Sequence, residues 1–319
     1  MLPLDDPLWQ KLDDAHRNRD IPGEIARLAE AWSDEAADHL LWDNLCHQST
    51  CYAATYAAIP HLLSIGQPGS SRRQRLQIAA FAGHVALCAQ NPQEDLYDDA
   101  HTPHLQGLPE TLKAWERRRN ADRGRLANLE RRPTTPYEQT EELPRYKKIL
   151  AVPPIDTDDL TRIRSIRVEF LAALPSIRAL CERALLENLE DRGTVLFMLS
   201  GIAACDGLLG LANLLGGGLD GDFKCPSCDQ HYSYSLFEDR VAIYTDSDSE
   251  LLDLKAGTPS RADGFIVAAR DSDITDRRAT ALLHLADQST SPEPAMLLRN
   301  FLGSFRCSEC GAQGPIHRG

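Results

Sequence analysis

The stretch "IPGEIARLAEAWSDEAADHLLWDNLCHQ" places apolar residues at Ile25, Leu28, Ala29 and Trp32, then at Leu40, Leu41 and Leu45. Spacings of three and four residues predict amphipathic helix. "CYAATYAAIPHLLSIG" continues the pattern and stops at a glycine, as helices often do. "SRRQRLQIAAFAGHVALCAQNP" opens on an N-cap serine and ends before a proline. "RSIRVEFLAALPSIRALCERALLENLED" is a further helical run. The longest apolar stretch, "TVLFMLSGIAACDGLLGLANLL", contains Asp206, Gly207 and Asn213. A lipid-spanning helix would bury those polar groups at a cost, so the pattern predicts two buried helices with a turn at Asp206-Gly207.

Beyond residue 218 the period changes. "YSYSLFEDRVAIYTDSD" alternates aromatic or β-branched residues with polar ones, the signature of strands in a hairpin. "GFIVAARDSD" offers another strand. "TDRRATALLHLADQS" and "PEPAMLLRNFLGSF" return to helical spacing, with Thr275 or Asp276 as N-cap of the first. "LLGGGLDGD" follows a helix rather than a strand, so it reads as a hinge and not as a phosphate cradle. The expected organisation is a helical domain over 1–218 and a strand-containing module over 219–319. Residues 91–160 form an irregular insertion in the first.

One echo links distant helices. "AAIPHLLSI" at 57–65 and "AALPSIRAL" at 172–180 share Ala-Ala, a branched residue and proline. Pro60 and Pro175 are expected to kink their helices. Paired, kinked helices in series describe a HEAT-like α–α superhelix, with a plain helical bundle as the alternative.

Cysteine spacing carries the chemistry. "FKCPSC" holds Cys225 and Cys228, and "CSECG" holds Cys307 and Cys310, two C-x-x-C pairs separated by residues 229–306. Four soft thiolates are the right count for a closed, structural zinc site. Pro226 and Gly311 suit the tight turns such pairs need. His231 could replace one thiolate, because C-x-x-C-x-x-H is also metal-like. Four ligands leave no position for water, so the expected single zinc is structural rather than catalytic. The chain end is then clamped to its middle. The total of nine cysteines is odd, which argues against a disulfide framework. Cys46, Cys51, Cys88, Cys181 and Cys205 lie singly in apolar pattern and read as small buried hydrophobes. A second metal site at Cys46, His47 and Cys51 is the alternative for that group.

Together, "HQSTCYAATYAAIPHLLSI", "VLFMLSGIAACDGLLGLANLL", "FKCPSC" and "CSECG" resemble bacterial HEAT-like helical-repeat proteins that end in a split zinc ribbon. The resemblance covers about two thirds of the chain and leaves out 91–160. It implies a mainly α fold closed by a small β zinc ribbon. It also implies a scaffold or an immunity protein that stands beside a secreted toxin. No catalytic motif comes with it.

Charge sharpens the expectation. The chain of 319 residues carries a net charge of −13, which disfavours polyanions and favours a basic protein partner. "MLPLDDPLWQKLDD" has no signal-peptide pattern, so a cytoplasmic location without membrane contact is expected. The exception to the acidity is "KAWERRRNADRGRLANLERR" at 113–132, a basic helix. It can pair with the protein's own carboxylates, dock an acidic partner or contact nucleic acid. "RPTTPYEQTEELPRYKKILAVPPIDTDD" then reads as a long connector. None of the nucleophile-elbow, zinc-protease, phosphate-loop or dinucleotide motifs is present. Asp98, Asp99, His101 and His104, within 95–104, are the one candidate for a hydrolytic metal site. His47, Thr50 and His61 read as packing or hydrogen-bonding groups. The sequence thus points to a non-catalytic, cytosolic immunity protein that occludes a basic bacterial toxin. A zinc-ribbon protein binding nucleic acid through 113–132 is the runner-up, and a metal-dependent hydrolase at 95–104 the third reading.

Overall fold

The computed structural model describes residues 1–16, 20–47, 50–67, 69–90, 108–187, 189, 191–238 and 240–316. They are mainly helical, with small antiparallel sheets concentrated towards the C-terminus. Two compact units are formed by 1–78 with 91–174 and by 79–90 with 175–319. The change from helix to strand falls at the expected place near 219, but the compact units do not divide there.

The first unit begins with a short 3-10 turn, Pro7–Lys11, then α1 (Ile21–Glu30) and α2 (Asp34–Asp38). A wider π turn, His39–Leu45, leads into a small hairpin of β1 (Cys46–His47) and β2 (Thr50–Cys51). Next come α3 (Ala53–Ile65) and α4 (Arg72–Gln90), whose residues from 79 onward belong to the second unit and which opens where the Ser71 hydroxyl accepts from Gln74 N–H at 3.2 Å. Helices α5 (Leu108–Arg131), α6 (Leu143–Ala151) and α7 (Thr157–Leu186) follow, with α7 from Pro175 onward belonging to the second unit. Ile25, Leu28, Leu40, Leu41, Leu45 and Ile59 are buried here, as the spacing predicts; Trp32 is half-buried and Ala29 exposed. Tyr56 meets Phe170 at 5.0 Å, and the Arg167 guanidinium lies 4.9 Å above the Tyr56 ring. Helices α3 and α7 both continue past their prolines, Pro60 and Pro175.

The segment expected to be a connector is helical. Thr135 and Glu138 form a capping box: Glu138 N–H donates to the Thr135 hydroxyl at 3.2 Å, and Thr135 N–H donates to the Glu138 carboxylate at 2.9 Å. Pro136 follows the cap, where a missing N–H costs nothing. The π turn Glu138–Glu142 leads into α6, where Pro144 sits in the first turn and its missing N–H costs nothing. Arg132 and the Thr135 N–H hold the Glu138 carboxyl down at about 2.

In the second unit the apolar stretch forms α8 (Arg192–Cys205) and α9 (Leu209–Gly216), joined at Asp206-Gly207 with Gly207 at φ +73°. Arg178 grips the Asp206 carboxylate at 2.7 and 3.1 Å, which raises the pKa of the guanidinium. A four-stranded antiparallel sheet follows in the order β3 (Asp220–Lys224), β4 (His231–Leu236), β5 (Val241–Tyr244), β6 (Gly264–Phe265). Between β5 and β6 lies α10 (Ser247–Ala256), a helix that the alternation reading passes over. Its signals were present: Asp246 caps its start, and Gly257 ends it at φ +69°. Its face towards the sheet carries buried Asp253, while Leu251, Leu252 and Leu254 stay exposed. Helices α11 (Arg277–Asp287), capped by Asp276, and α12 (Glu293–Phe301) precede a second hairpin of β7 (Ser304–Arg306) and β8 (Gln313–Pro315).

Glycines allow a close helix approach in this unit. A Cβ built on Gly201 of α8 would lie 2.5 Å from the Gly83 Cα of α4 and 3.2 Å from Cys181 Sγ. Nothing there is a flexible chain end, so the backbones must separate to admit a methyl group. Gly201→Ala is expected to destabilise the protein by about 1–3 kcal/mol, read as a lowered denaturant midpoint. An unchanged midpoint would show that the crossing is not packed this closely.

Candidate metal centre

The two C-x-x-C pairs occupy the tips of two β-hairpins, β3–β4 and β7–β8, within the second unit. The tips share one backbone plan. Cys225 N–H donates to Gln230 O at 2.9 Å and Asp229 N–H to Cys225 O at 2.9 Å. In the other tip Cys307 N–H donates to Ala312 O at 2.8 Å and Gly311 N–H to Cys307 O at 3.0 Å. The residue after the second cysteine is left-handed in both, Asp229 at φ 59° and Gly311 at φ 72°. Gly311 fits that conformation without strain, and aspartate is among the few residues that tolerate it. Each turn thereby aims both its sulfurs to one side.

The sulfurs of the two tips meet crosswise. Cys225 Sγ lies 3.8 Å from Cys310 Sγ, and Cys228 Sγ lies 3.7 Å from Cys307 Sγ. All four sulfurs lie within 4.8 Å of one another. A tetrahedron of sulfurs around zinc, with Zn–S about 2.3 Å, has edges of about 3.8 Å. The donor set therefore fits zinc in both chemistry and size. Cys225 and Cys307, the first of each pair, are buried, and Cys228 and Cys310 are exposed.

Aromatic side chains hold the tips together from beneath. Phe223 of β3 stacks on Tyr232 of β4 at 5.5 Å, and Phe305 of β7 meets both edge-on at 4.9 and 5.5 Å. Tyr232 is fully buried, and its hydroxyl lies 3.1 Å from Cys307 Sγ while accepting from Ser308 N–H at 3.0 Å. Cys307 also receives the Cys310 N–H at 3.5 Å. These donors, the Cys310 amide first and then the Tyr232 hydroxyl, lower the Cys307 thiol to about 6. A ligand sulfur that ionises readily is suited to a cation.

Other candidate residues fare differently. His231 is exposed and pairs with Lys224 in the β3–β4 ladder, outside the cysteine group. Cys46, His47 and Cys51 do not form a three-ligand cluster: the cysteines face each other across β1–β2, and His47 is exposed. His61 hydrogen-bonds Leu2 O at 2.8 Å, and burial lowers its pKa. Cys88 contacts His84 Nε2 at 3.4 Å, and burial pushes the Cys181 thiol up. Asp98, Asp99, His101 and His104 lie outside the described residues. Sequence reasoning missed the role of Tyr232, which depends on the β3–β4 register that sets it directly opposite Phe223.

Part of the basic helix is committed within its own unit. Arg118 pairs with Asp13 at 2.7 Å, and Arg125 with Glu142 at 2.8 Å. Arg132 pairs with Glu138. Arg119 donates to Leu150 O and Val152 O at 2.9 and 2.8 Å, satisfying carbonyls at the end of α6. Lys113, Arg117 and Arg131 are exposed. Among the described residues no helix is long and apolar enough to cross a membrane. No family model, no curated protein and no solved structure matches the chain.

Tyr232→Phe keeps the ring packing and removes the hydroxyl from Cys307. Zinc affinity, measured by competition with a chromophoric chelator, is expected to fall about 10–100-fold, the usual cost of losing a group that orients a ligand. Unchanged affinity would show that the hydroxyl does not support the sulfur.

Proposed function

We propose that the protein binds one structural zinc ion through Cys225, Cys228, Cys307 and Cys310. In this reading it acts, without catalysis, as a cytosolic immunity protein that occludes a basic bacterial toxin. The observation that carries the reading is the distribution of charge. The chain is strongly acidic, with a net charge of −13, and three arginines of its basic stretch, Arg118, Arg125 and Arg132, are met by its own Asp13, Glu142 and Glu138. What remains for a partner is mainly negative, and such a surface steers a basic protein to it. Exposed leucines on α10, beside exposed Asp246 and Asp248, offer an apolar centre with an acidic rim. The four-sulfur site leaves no open position for substrate, which favours binding over chemistry. Support for a HEAT-like α–α superhelix comes from the Ala-Ala-branched-Pro segments shared by α3 and α7. The nucleic-acid reading is left with Lys113, Arg117, Arg123 and Arg131, exposed and not paired with a carboxylate in any ion pair named above.

The test uses purified protein, generic RNA and the product of an adjacent gene encoding a basic protein. At physiological salt RNA is expected to bind negligibly, while the basic protein forms a complex that blocks its activity and associates more slowly as salt rises. Tight RNA binding that is lost in Lys113→Glu with Arg117→Glu and Arg131→Glu, with no protein complex, would overturn the reading. These positions are chosen because changing Arg118 or Arg119 would also break contacts inside the fold.

A further inference from the structure

Four of the nine cysteines are accounted for by the metal centre. Of the others, Cys88, Cys181 and Cys205 sit in helices of the second unit, with Cys205 half-buried and pushed up to about 12 by burial and then by Asp206. The last two, Cys46 and Cys51, are placed differently. They lie directly opposite each other in the antiparallel β1–β2 pair. Both are buried, at 2% and 6% exposure, and Cys51 S–H points to Cys46 Sγ at 3.6 Å.

Residues opposite each other in an antiparallel pair have Cα atoms about 4.5–5.5 Å apart. That range falls inside the window of about 4.4–6.8 Å that a disulfide requires. Side-chain rotation alone can bring the sulfurs to bonding distance, and the backbone need not move. We propose that Cys46 and Cys51 form a reversible thiol–disulfide couple, a modification site for a small hydroperoxide oxidant and a low-molecular-weight thiol reductant. This assignment is independent of the zinc centre and of the partner proposed above.

The chemistry balances without the metal. One sulfur, as thiolate, attacks a peroxide oxygen, giving a sulfenic acid and water after protonation of the leaving hydroxide. The second sulfur attacks the sulfenic sulfur, forming the S–S bond and releasing the second water. Two thiols and one hydrogen peroxide become one disulfide and two waters. A small peroxide suits the low exposure of both sulfurs better than a bulky disulfide does. In the return step one reductant thiolate attacks the S–S bond, and a second resolves the mixed disulfide, leaving Cys46 and Cys51 reduced. The closed loop is short, so the bond gains little from restricting the unfolded chain. It is therefore a chemical state of the hairpin rather than a staple for the fold. The hairpin leads through Tyr52 directly into α3, so the couple sits at the entrance of a buried helix.

A single peptide reads the outcome. Trypsin releases 28–72, which contains Cys46 and Cys51 and no other cysteine. Zinc-loaded native protein is treated with hydrogen peroxide, quenched with iodoacetamide in denaturant, digested and weighed. The expected result is a fragment lighter by two hydrogens, unalkylated, and restored to a doubly alkylated form by dithiothreitol. Cys46→Ser and Cys51→Ala should each abolish that species, and either variant suffices if the other fails to fold. A doubly alkylated fragment after peroxide treatment would overturn the proposal. So would oxidation of one sulfur to a sulfinic acid with no disulfide formed.

Discussion

The C-terminal half of the molecule depends on one closure: the hairpin tip at 307–310 returns to the tip at 225–228. Sulfurs far apart in sequence come within 3.7 and 3.8 Å of each other. Such a contact closes a long loop, and its entropic cost must be met by something stronger than a pair of turns. An aromatic cluster of Phe223, Tyr232 and Phe305 supplies part of that. Zinc on four thiolates would supply much more, on the order of 10–16 kcal/mol in finger peptides. That is comparable to the whole stability margin of an ordinary domain, about 5–15 kcal/mol. Helices α10, α11 and α12 all lie inside the closed loop, so the closure tethers both ends of the segment that contains them.

What could be read from the sequence follows from the range of each interaction. The C-x-x-C pairs were legible because metal geometry demands fixed local spacing. The α8–α9 turn was legible because Asp206-Gly207 interrupts an apolar run. Helix α10 was missed because its exposed leucines blur the amphipathic period, so its caps at Asp246 and Gly257 were the better guide. Reading 132–159 as a connector went astray for a related reason. Its prolines looked like breakers, whereas Pro136 starts a helix and Pro144 follows a π turn. The facing of Cys46 and Cys51 needs the strand register, and two-residue strands carry no alternation to reveal it.

Charge in the first unit shows how composition and structure divide an explanation. A dense run of arginines suggests a polyanion when counted along the chain. In the fold, Arg118 and Arg125 meet carboxylates, while Arg119 caps the carbonyls of α6. These arginines hold the first unit together, whereas Lys113, Arg117, Arg123 and Arg131 remain exposed.

The central claim is the four-sulfur zinc closure, and X-ray absorption at the zinc edge tests it most directly. Freshly purified, reduced protein should contain one zinc per chain, with four sulfur neighbours at about 2.3 Å and no nitrogen or oxygen in the inner shell. A stoichiometric lack of zinc, or a shell in which nitrogen or oxygen replaces two of the sulfurs, would contradict it.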